Sequence, residues 1–343
     1  MNTVILSDNR DGHINQSIGI AEILKDSLEL SYTIVDVKLR NPFLKGLKYK
    51  FIKRLSKKLT KQNIRIILSF FEEIDLTECD LLISTGGKLT VLNAALSKKY
   101  NIQNIHNGSL RGISDEYFST SVVLRNSNDK KTNIIKTILP PNRFSPTKNK
   151  GNKNRVLFLI GGNGSGYKYK KKDFIELCNQ IIKYNHDSRK TPVIVTSRRT
   201  KKSHELLIKQ YLQDYMDDQS VWFHSGIGRI NLSDIFKIVD EIFVTEDSSS
   251  MIAESISCGL PVYSIAPKKK KKNKEHLEML YRYERDGFIK RLNFDSNFNR
   301  YTDKSIFSNQ YKKIINAKHL LKIQILHKLD KLVLTQNINT VQS

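Results

Sequence analysis

Two polar stretches of the sequence combine residue types that can hold a phosphate or move a proton. The first, VTEDSSSMIAES at residues 244–255, passes from an apolar strand end through two acids to three serines and then to a helical pattern. A helix N-terminus leaves about four backbone N–H groups unpaired and carries roughly half a positive charge. One serine is enough to cap such a helix, so the additional hydroxyls indicate a bound phosphate group.

The serine-rich segment predicts contacts with a nucleoside diphosphate. Hydroxyl and N–H groups for the diphosphate come from three consecutive residues: Ser248, Ser249 and Ser250. Glu254 follows Ser250 by four residues and therefore lies on the same side of the helix. A carboxylate there can accept hydrogen bonds from both hydroxyls of a ribose. Glu246 and Asp247 have the wrong charge for an anion site, and we expect them to orient an arginine or to contact sugar hydroxyls. The alternative is a capped helix with an exposed Glu254.

Two other loops that follow apolar strands contain residues suited to the same ligand. Glycine lets a backbone approach a phosphate closely, and LIGGNGSG at 159–166 contains a glycine-rich run after a strand: Gly161, Gly162, Asn163 and Gly164. This run lacks the ending of a Walker loop, so a plain turn is the alternative.

In TSRRT at 196–200, Ser197 precedes Arg198 and Arg199, whose guanidinium groups suit phosphate oxygens. We expect only one arginine to face the ligand, because neighbouring residues of an extended chain point in opposite directions. A solvated pair of arginines is the alternative.

The second stretch, SDNRDGHINQ at residues 7–16, predicts an acid–base site. His13 stands at the start of an expected helix, and the carboxylates of Asp8 and Asp11 lie close before it in the sequence. A histidine in this setting can act as general base toward a sugar hydroxyl. Asp11 and Asp8 are the next candidates for that role, and a purely structural histidine is the alternative.

Two parallel sheets are the elements that would position these loops. Apolar runs alternate with helical patterns from residue 3 to about residue 107, and the alternation restarts at residue 155. Such βαβ alternation predicts sheets covered on both faces, whose ligands bind beyond the carboxyl ends of the strands. RIILSF at 65–70 and VWFHS at 221–225 are predicted strands, the segment 140–154 a linker, and the basic tail from residue 304 helical.

The composition is typical of a folded protein with affinity for polyanions. The chain has 343 residues, of which 39% are hydrophobic, and a formal charge of +24. This excess favours nucleic acid, anionic lipid or phosphorylated substrates, with compositional drift as the alternative. The sequence has no apolar run of about 18 residues, so no membrane span is expected. The N-terminus lacks the basic region of a signal peptide. The three cysteines fit no metal spacing and suggest a reducing compartment.

Residues 37–71 contain eleven Lys or Arg residues and no acid. Apolar residues recur there every four positions: Phe43, Leu47, Phe51, Leu55 and Leu59. This pattern predicts a basic amphipathic helix on an anionic membrane surface. A helix packed on the core with a solvated basic side is the alternative, and the two are compatible. Nucleic acid is not an expected partner, because no helix-turn-helix, RNP or zinc signature is present.

The motifs resemble those of a known family. SDNRDGHINQSIGIAEIL, IGGNGSG, VTSRRT and VTEDSSSMIAES with GLPVY are similar, in this order, to the mitochondrial-fission Elm-one-like family, whose bacterial members are described as lipooligosaccharide outer-core glycosyltransferases. The resemblance extends from residue 3 to about residue 266. Asn9 stands where a glycine is usual, although asparagine tolerates a left-handed backbone. GIGRINL at 226–232 replaces a more typical Asn-Pro-Tyr turn, which puts the contacts with the nucleobase in question.

The resemblance implies a GT-B-like glycosyltransferase, an α/β protein with two Rossmann-like domains whose parallel sheets face each other across a cleft. We expect an acceptor domain at 1–145, a nucleotide-sugar domain at 146–300, and a helical C-terminal tail at 301–343 that is free to cross back. Three residues would then lie on the acceptor side: Gln16, Gly86 and Gly87. The implied enzyme is cytoplasmic and peripheral on the inner membrane. It moves a sugar from a nucleotide-sugar to a lipid-linked or lipooligosaccharide core acceptor, with no cofactor and no metal.

Two other functions are compatible with the same sequence. A nucleotide-sugar 2-epimerase of the same fold would need neither a lipid acceptor nor a basic face. A non-catalytic, membrane-associated adaptor would agree with the fission label of the family. A degenerate nucleotide site would favour the adaptor, whereas the motifs of this chain are complete.

Overall fold

The computed structural model describes residues 1–40, 45–124, 132–146, 153–226, 231–267, 273–301 and 304–341. The chain forms two compact units. The first unit contains residues Met1–Arg143 and Ile315–Ser343, and the second contains Phe144–Ile314. We describe each unit separately.

The first unit has a parallel sheet in which the described residues form six strands: β1 (Asn2–Ser7), β2 (Ser31–Asp36), β3 (Leu81–Thr85), β4 (Gln103–Asn107), β5 (Thr120–Leu124) and β6 (Ile134–Thr137). Their order is β2-β1-β3-β4-β5-β6. Because β1 pairs with β2 on one side and with β3 on the other, the direction of winding reverses between β1 and β3. Ligands of doubly wound sheets bind at such a reversal, beyond the carboxyl ends of the strands.

Among the described residues, the helices that precede or follow the strands of the first unit are α1 (Asp11–Leu28), α2 (Lys45–Leu55), α3 (Lys61–Ser69) and α4 (Thr90–Tyr100). Leu24 of α1 packs with Ile5 and Ile83 in one apolar cluster. A second cluster contains Leu82 of β3 together with residues of α2, α3 and α4. Helices therefore cover both faces of the sheet, as its buried strands require.

The second unit has a parallel sheet with five strands among the described residues: β7 (Arg155–Ile160), β8 (Thr191–Thr196), β9 (Glu241–Thr245), β10 (Val262–Ala266) and β11 (Lys290–Asn293). Their order is β11-β10-β9-β7-β8, so the winding reverses between β7 and β9. Phe158, Phe243 and Tyr263 stack across this sheet, with ring centroids 4.8–4.9 Å apart. The helices of the unit are α5 (Lys171–Ser188), α6 (Lys202–Leu212), α7 (Leu232–Ile238), α8 (Ser249–Ser257) and α9 (Lys274–Arg285).

The C-terminal helix α10 (Gln310–Val341) begins in the second unit and continues in the first. Leu321, Ile325 and Leu329 are buried in the same cluster of the first unit as Ile5 and Ile83. The prediction of a helical tail is therefore confirmed. In the part of the chain that the structure describes, no helix combines the length and apolar character that crossing a membrane requires.

The predicted α/β class with parallel sheets is confirmed, but two predicted strands are wrong. RIILSF lies in and directly after α3, whose N-terminus is capped by Thr60 accepting from the N–H of Asn63 at 3.1 Å. Ile64 and Ile67 are buried one turn apart, which is the helical period that a short apolar run conceals. VWFHS forms only a single bridge between Val221 and Val195.

The VWFHS segment does not continue as a strand because a buried carboxylate accepts hydrogen bonds from its last two residues. Glu205 on α6 accepts from the N–H of His224 at 3.0 Å and from the hydroxyl of Ser225 at 2.7 Å. The carboxylate is fully buried. These hydrogen bonds end the pairing with β8 after the single bridge at Val221, since a backbone N–H that is bonded to a side chain cannot also bond to a neighbouring strand.

The basic amphipathic helix predicted around residues 43–59 corresponds in part to α2, which runs from Lys45 to Leu55. Ile52 and Leu59 are buried in the core of the first unit, whereas Phe51 is 47% exposed. The neighbouring basic residues are exposed: Lys50, Lys53, Arg54, Lys57 and Lys58. Phe43 and the side chain of Leu47 lie outside the described residues, as do 147–152 of the predicted linker and 227–230 of GIGRINL.

Candidate functional site

Both groups of predicted site residues lie where the winding of their own sheet reverses. In the first unit, Asp8 and His13 follow β1 and Gly86 follows β3. In the second unit, Gly161 follows β7 and Asp247 follows β9. The positions agree with the expected location of ligand sites in doubly wound sheets.

His13 is the third residue of α1 and is held by Asp8. Its Nδ1 lies 3.0 Å from Oδ1 of Asp8. An ionised carboxylate only accepts hydrogen bonds, so Nδ1 carries the hydrogen and Nε2 of the neutral ring has a free lone pair. The His13 side chain is 27% exposed and that of Asp8 is 7% exposed. The arrangement can therefore present a base to a bound hydroxyl while its carboxylate partner stays buried.

The pKa of Asp8 lies below its ordinary value. Burial alone would raise this pKa, but the hydrogen bond and charge of His13, with smaller contributions from Arg10 and Lys88, outweigh it. The tight turn that brings Asp8 back toward His13 contains Asn9 at φ 59°, and the N–H of Asn9 donates to the Ser7 hydroxyl at 3.1 Å. The asparagine thus adopts the left-handed conformation that a glycine would adopt without strain.

The other predicted residues of the first unit surround this pair. An added Cβ on Gly86 would lie 2.4 Å from the His13 ring, and one on Gly87 would lie 2.1 Å from Nε of Arg111. The two glycines therefore make room for an imidazole and a guanidinium. Gln16 accepts a hydrogen bond from Asn107 at 2.7 Å. Asp11 is exposed in the first turn of α1.

His106 is a buried histidine beside this group that the sequence analysis missed. Its ring nitrogens lie 2.9 Å from the Ser84 hydroxyl and 3.1 Å from the Thr90 hydroxyl. Complete burial, with a smaller effect of His13, lowers the pKa of His106 to about 3. His106 is therefore neutral and structural, and His13 is the histidine of this group that faces outward.

Three segments of the second unit, the glycine loop, the arginine loop and the start of α8, pack together where the winding of the sheet reverses between β7 and β9. An added Cβ on Gly161 would lie 2.1 Å from a carboxylate oxygen of Asp247, and one on Gly162 would lie 1.9 Å from the carbonyl oxygen of Arg199. An added Cβ on Gly164 would lie 2.7 Å from Nη1 of Arg199. The glycine loop, the arginine loop and the start of α8 are thus in direct contact, which only glycine permits at these positions.

Arg199 and Asp247 form the polar centre of this group. Nη1 of Arg199 donates to the backbone carbonyl of Asp247 at 2.5 Å and to its Oδ2 at 3.3 Å. Asp247 is fully buried, and burial raises its pKa despite hydrogen bonds from Thr245 and Gly162 and the charge of Arg199. Arg198 is exposed. One of the two predicted arginines therefore lies in the group, and the acid beside it orients the guanidinium.

The smaller predicted residues support these loops. Asn163 accepts from the N–H of Tyr169 at 2.8 Å, and Ser197 accepts from the N–H of Arg199 at 3.2 Å. Glu254 is buried on α8 rather than exposed, so the interpretation of an exposed helical glutamate is wrong.

The three serines have different partners. Ser248 caps α8 and lies 3.2 Å from the Ser250 hydroxyl. The Ser249 hydroxyl lies 3.0 Å from Nδ1 of His276, whose Nε2 lies 2.6 Å from the carbonyl oxygen of Glu246. A carbonyl only accepts, so the imidazole hydrogen is on Nε2 and Ser249 donates its hydrogen to Nδ1. Ser249 can then offer an incoming anion only its backbone N–H, whereas Ser250 has a hydroxyl within the group.

Glu246 is held by residues that the sequence analysis missed. Arg291 on β11 binds the carboxylate with two hydrogen bonds of 2.7 and 3.0 Å, and the hydroxyls of Tyr167 and Ser264 also donate to it. Burial disfavours the charge of Arg291, but the bonds and charge of Glu246 raise its pKa above the ordinary value. Burial, followed by Glu246, raises the pKa of Tyr167. This buried ion pair fixes the backbone from which Asp247 and Ser248 extend.

The arrangement of each unit defines what it can do chemically. The first unit presents a carboxylate-oriented imidazole, and the second presents a guanidinium, glycine-rich backbone and a capped helix N-terminus. The last three groups bind phosphate oxygens in proteins. In the part of the chain that is described, no three His, Cys, Asp or Glu side chains are placed to hold a metal ion.

Comparison with known families gives a match over most of the chain. The model of the family described as mitochondrial fission ELM1 matches residues 11–302. This range includes His13, the glycine loop, the arginine loop and the start of α8. No curated protein matches the chain.

Solved structures similar to this chain share its GT-B-like fold. MurG of Acinetobacter baumannii is 11% identical with a TM-score of 0.54, and the match covers 95% of this chain and 99% of MurG. The glycosyltransferase SnogD of Streptomyces nogalater is 12% identical with a TM-score of 0.53, covering 97% and 99%. UDP-GlcNAc 2-epimerase of Neisseria meningitidis, bound to UDP-GlcNAc, is 10% identical with a TM-score of 0.53, covering 95% and 99%. The predicted fold class is confirmed by these matches.

Proposed function

The chain belongs to the mitochondrial fission ELM1 family, and we propose that it is a glycosyltransferase that uses a nucleotide-sugar donor. The transfer would convert an acceptor hydroxyl into a glycosidic bond and release a nucleoside diphosphate. The proposal is supported by the chemistry of two groups of residues, one in each unit.

The observation that carries the proposal is the convergence of three loops on Arg199. Gly162 and Gly164 approach this residue so closely that a Cβ would overlap its atoms, and Asp247 orients its guanidinium. A diphosphate bound there would contact Arg199, the Gly161–Gly164 backbone and the start of α8 at Ser248–Ser250. Donors fixed in advance stabilise the charge that develops on the leaving diphosphate. Glu254 is the proposed partner of the ribose hydroxyls.

The Asp8–His13 pair supports a transfer reaction rather than binding alone. Nε2 of His13 would accept the proton of the acceptor hydroxyl while that oxygen forms a bond to the anomeric carbon of the donor sugar. The bond from the anomeric carbon to the diphosphate breaks at the same time, and its electron pair leaves with the diphosphate. Asp8 stabilises the imidazolium that results, because it accepts the Nδ1 hydrogen throughout. Gln16, Gly86 and Gly87 are the proposed acceptor-side residues.

A glycolipid acceptor at a membrane surface is the proposed second substrate. Five exposed basic residues on and after α2 support this part of the proposal: Lys50, Lys53, Arg54, Lys57 and Lys58. Each basic residue near an anionic leaflet contributes about 1 kcal/mol of attraction. A lipid-linked sugar or a lipooligosaccharide core would be presented at such a surface, on the cytoplasmic side where nucleotide-sugars are made.

The proposed activity is tested by incubating the protein with nucleotide-sugars labelled in the sugar and with a bacterial glycolipid extract. We expect label to appear in the lipid fraction and an equal amount of nucleoside diphosphate to be released. A His13→Ala variant serves as the inactive control. Label that never enters an acceptor, with any donor offered, would contradict the proposal.

The same assay separates the two alternative functions. A nucleotide-sugar 2-epimerase, the activity of one structure similar to this chain, would convert the donor to its 2-epimer without an acceptor. A non-catalytic adaptor would neither release nucleoside diphosphate nor change the donor.

A further inference from the structure

The first unit contains an apolar groove that none of the residues around His13 lines. The groove has a volume of about 730 Å³ and lies between α3, α4 and the segment that leads into β3. Its volume is within the range of small-molecule sites, about 300–1,000 Å³. Buried apolar side chains form its floor: Ile64, Phe71, Ile74, Leu92 and Leu96.

The rim of the groove is basic. Five exposed basic residues border it: Arg40, Lys61, Arg65, Lys98 and Lys99. Two acids, Glu72 and Glu73, border it as well, so the net charge of the rim is 5 − 2 = +3. Arg40 is tied to the backbone carbonyl of Phe71 at 2.7 Å, and Lys99 lies over the ring of Tyr100. Lys61 and Arg65 form no ion pair with any of the described residues and remain available to an external anion.

An apolar floor with one charged edge fits a particular kind of molecule. The floor presents hydrocarbon along α4 from Leu92 to Leu96, so its occupant must have a hydrocarbon part that gains by leaving water. The exposed side chains of Lys61 and Arg65 can hold an anionic end at the rim, because charged hydrogen bonds to phosphate are among the strongest that these side chains form.

We propose that this groove binds one acyl chain of an anionic membrane lipid, with the headgroup phosphate held by Lys61 and Arg65. The site goes beyond the proposed glycosyltransferase activity, because its lining residues belong neither to the Asp8–His13 pair nor to the diphosphate loops. It would anchor the protein through a single lipid, in addition to any attraction of the basic surface around α2.

The hydrocarbon part of the proposal is tested on the unmodified protein with octyl, decyl and dodecyl phosphate below their micelle concentrations. Calorimetric titration should give an affinity that rises about fourfold for each added methylene, equivalent to about 0.8 kcal/mol. Affinity that does not change with chain length, or inorganic phosphate that binds as tightly as decyl phosphate, would show that only the rim charges bind and would overturn the proposal.

The anionic end is tested with decyl trimethylammonium, which has the same chain and the opposite charge. We expect it to bind about tenfold or more weakly than decyl phosphate. The double variant Lys61→Gln/Arg65→Gln should weaken decyl phosphate binding by a similar factor, whereas the matched variant Lys171→Gln/Lys172→Gln, which removes two exposed charges of the second unit, should not. Equal effects of the two double variants would overturn the assignment of the headgroup.

The groove itself is tested by filling it. Leu68→Trp places an indole into the groove, while Ile66→Trp adds the same bulk to another half-buried position of α3 that does not line it. We expect Leu68→Trp to lower the affinity for decyl phosphate at least about tenfold and Ile66→Trp to leave it unchanged. Unchanged affinity in Leu68→Trp would contradict the proposed position. If that variant does not fold, the chain-length series and the rim variants still decide the proposal. No nucleotide-sugar enters these experiments, so their failure is distinct from failure of the proposed enzyme activity.

Discussion

Asp8 accepts a hydrogen bond from Nδ1 of His13 at 3.0 Å. This contact determines which imidazole nitrogen can act as a base, since a carboxylate that accepts from Nδ1 leaves the lone pair on Nε2. The pair depends on the left-handed turn at Asn9 and on the absence of a side chain at Gly86. The backbone at the end of β1 therefore fixes the orientation of the His13 ring and of its proton-accepting Nε2.

Replacing His13 tests its role as general base. His13→Ala should lower the rate of sugar transfer by about 10²–10⁴ while leaving donor affinity unchanged, because the diphosphate loops belong to the other unit. Turnover and donor binding are measured on the same preparation. The matched control is His186→Ala, which removes an exposed histidine that lies beside Asp187 and far in sequence from the predicted site residues. A His13→Ala enzyme that turns over at a near-normal rate would remove His13 from the mechanism.

The depressed pKa of Asp8 predicts a pH-dependent contribution to stability. A carboxyl group whose pKa is lower in the folded than in the unfolded state stabilises the fold above the unfolded value of about 3.9, and this contribution is lost as pH falls through the folded pKa. The difference in unfolding free energy between the wild type and Asp8→Asn should therefore be largest near neutral pH and shrink from about pH 5 downward. Urea unfolding at several pH values measures it. A difference that is independent of pH would contradict the ion-paired state of Asp8.

The two glycines after β7 predict an order of destabilisation. A Cβ at residue 162 would meet the backbone carbonyl of Arg199, which cannot move without its loop, whereas a Cβ at residue 161 would meet the side chain of Asp247. Gly162→Ala should lower the free energy of unfolding by at least the amount that overpacking a core does, about 1–3 kcal/mol. Gly161→Ala should lower it by less. Thermal or urea unfolding of the two variants gives the order. The reverse order would mean that the loops are not packed as described.

The basic residues around α2 predict binding to anionic vesicles. The variant with Gln at Lys50, Lys53, Arg54, Lys57 and Lys58 should lose this binding and keep donor binding, and wild-type binding should weaken as salt shortens the screening length from about 10 Å at 0.1 M to 3 Å at 1 M. Co-sedimentation measures it. A matched variant changes five exposed lysines of the second unit: Lys168, Lys171, Lys172, Lys201 and Lys202. If the α2 variant still sediments with the vesicles, the basic tail from 304 or the lysine run at 268–272, which lies outside the described residues, is the next candidate.

The alternation of elements could be predicted from the sequence because each strand and helix carries its own period. β3 and α4 follow directly from LLIST and TVLNAALSKKY. The RIILSF segment is mistaken for a strand because five consecutive apolar or small residues, 66–70, conceal a helical period. The helix cap at Thr60, which starts α3, is a weaker sequence signal. The VWFHS segment depends on Glu205, a residue of a different element.

The loops of the candidate site were also visible in the sequence, but their partners were not. Asp247 and the serines follow β9 in a recognisable order, and the expectation that an acid would orient an arginine needed only local sequence. Arg291 could not be connected with Glu246, because the two residues are 45 positions apart and meet only through the pairing of β11 with β10 and β10 with β9. His276 reaches Ser249 from α9 in the same way. Tertiary pairing, rather than local pattern, provides the residues that hold the loops in place.

The central claim, that the loops around Arg199 bind a nucleoside diphosphate, is tested most directly by calorimetric titration with the diphosphates of uridine, guanosine, cytidine, adenosine and thymidine. We expect one of them to bind the wild type. Arg199→Ala should bind it about 10- to 150-fold more weakly, as expected for a lost charged hydrogen bond of about 1.5–3 kcal/mol, and the matched variant Arg198→Ala should bind it like the wild type. Unfolding curves of both variants control for the buried Asp247 that Arg199→Ala leaves without its partner. If no diphosphate binds, or if the two variants lose affinity equally, the nucleotide site is not where we place it.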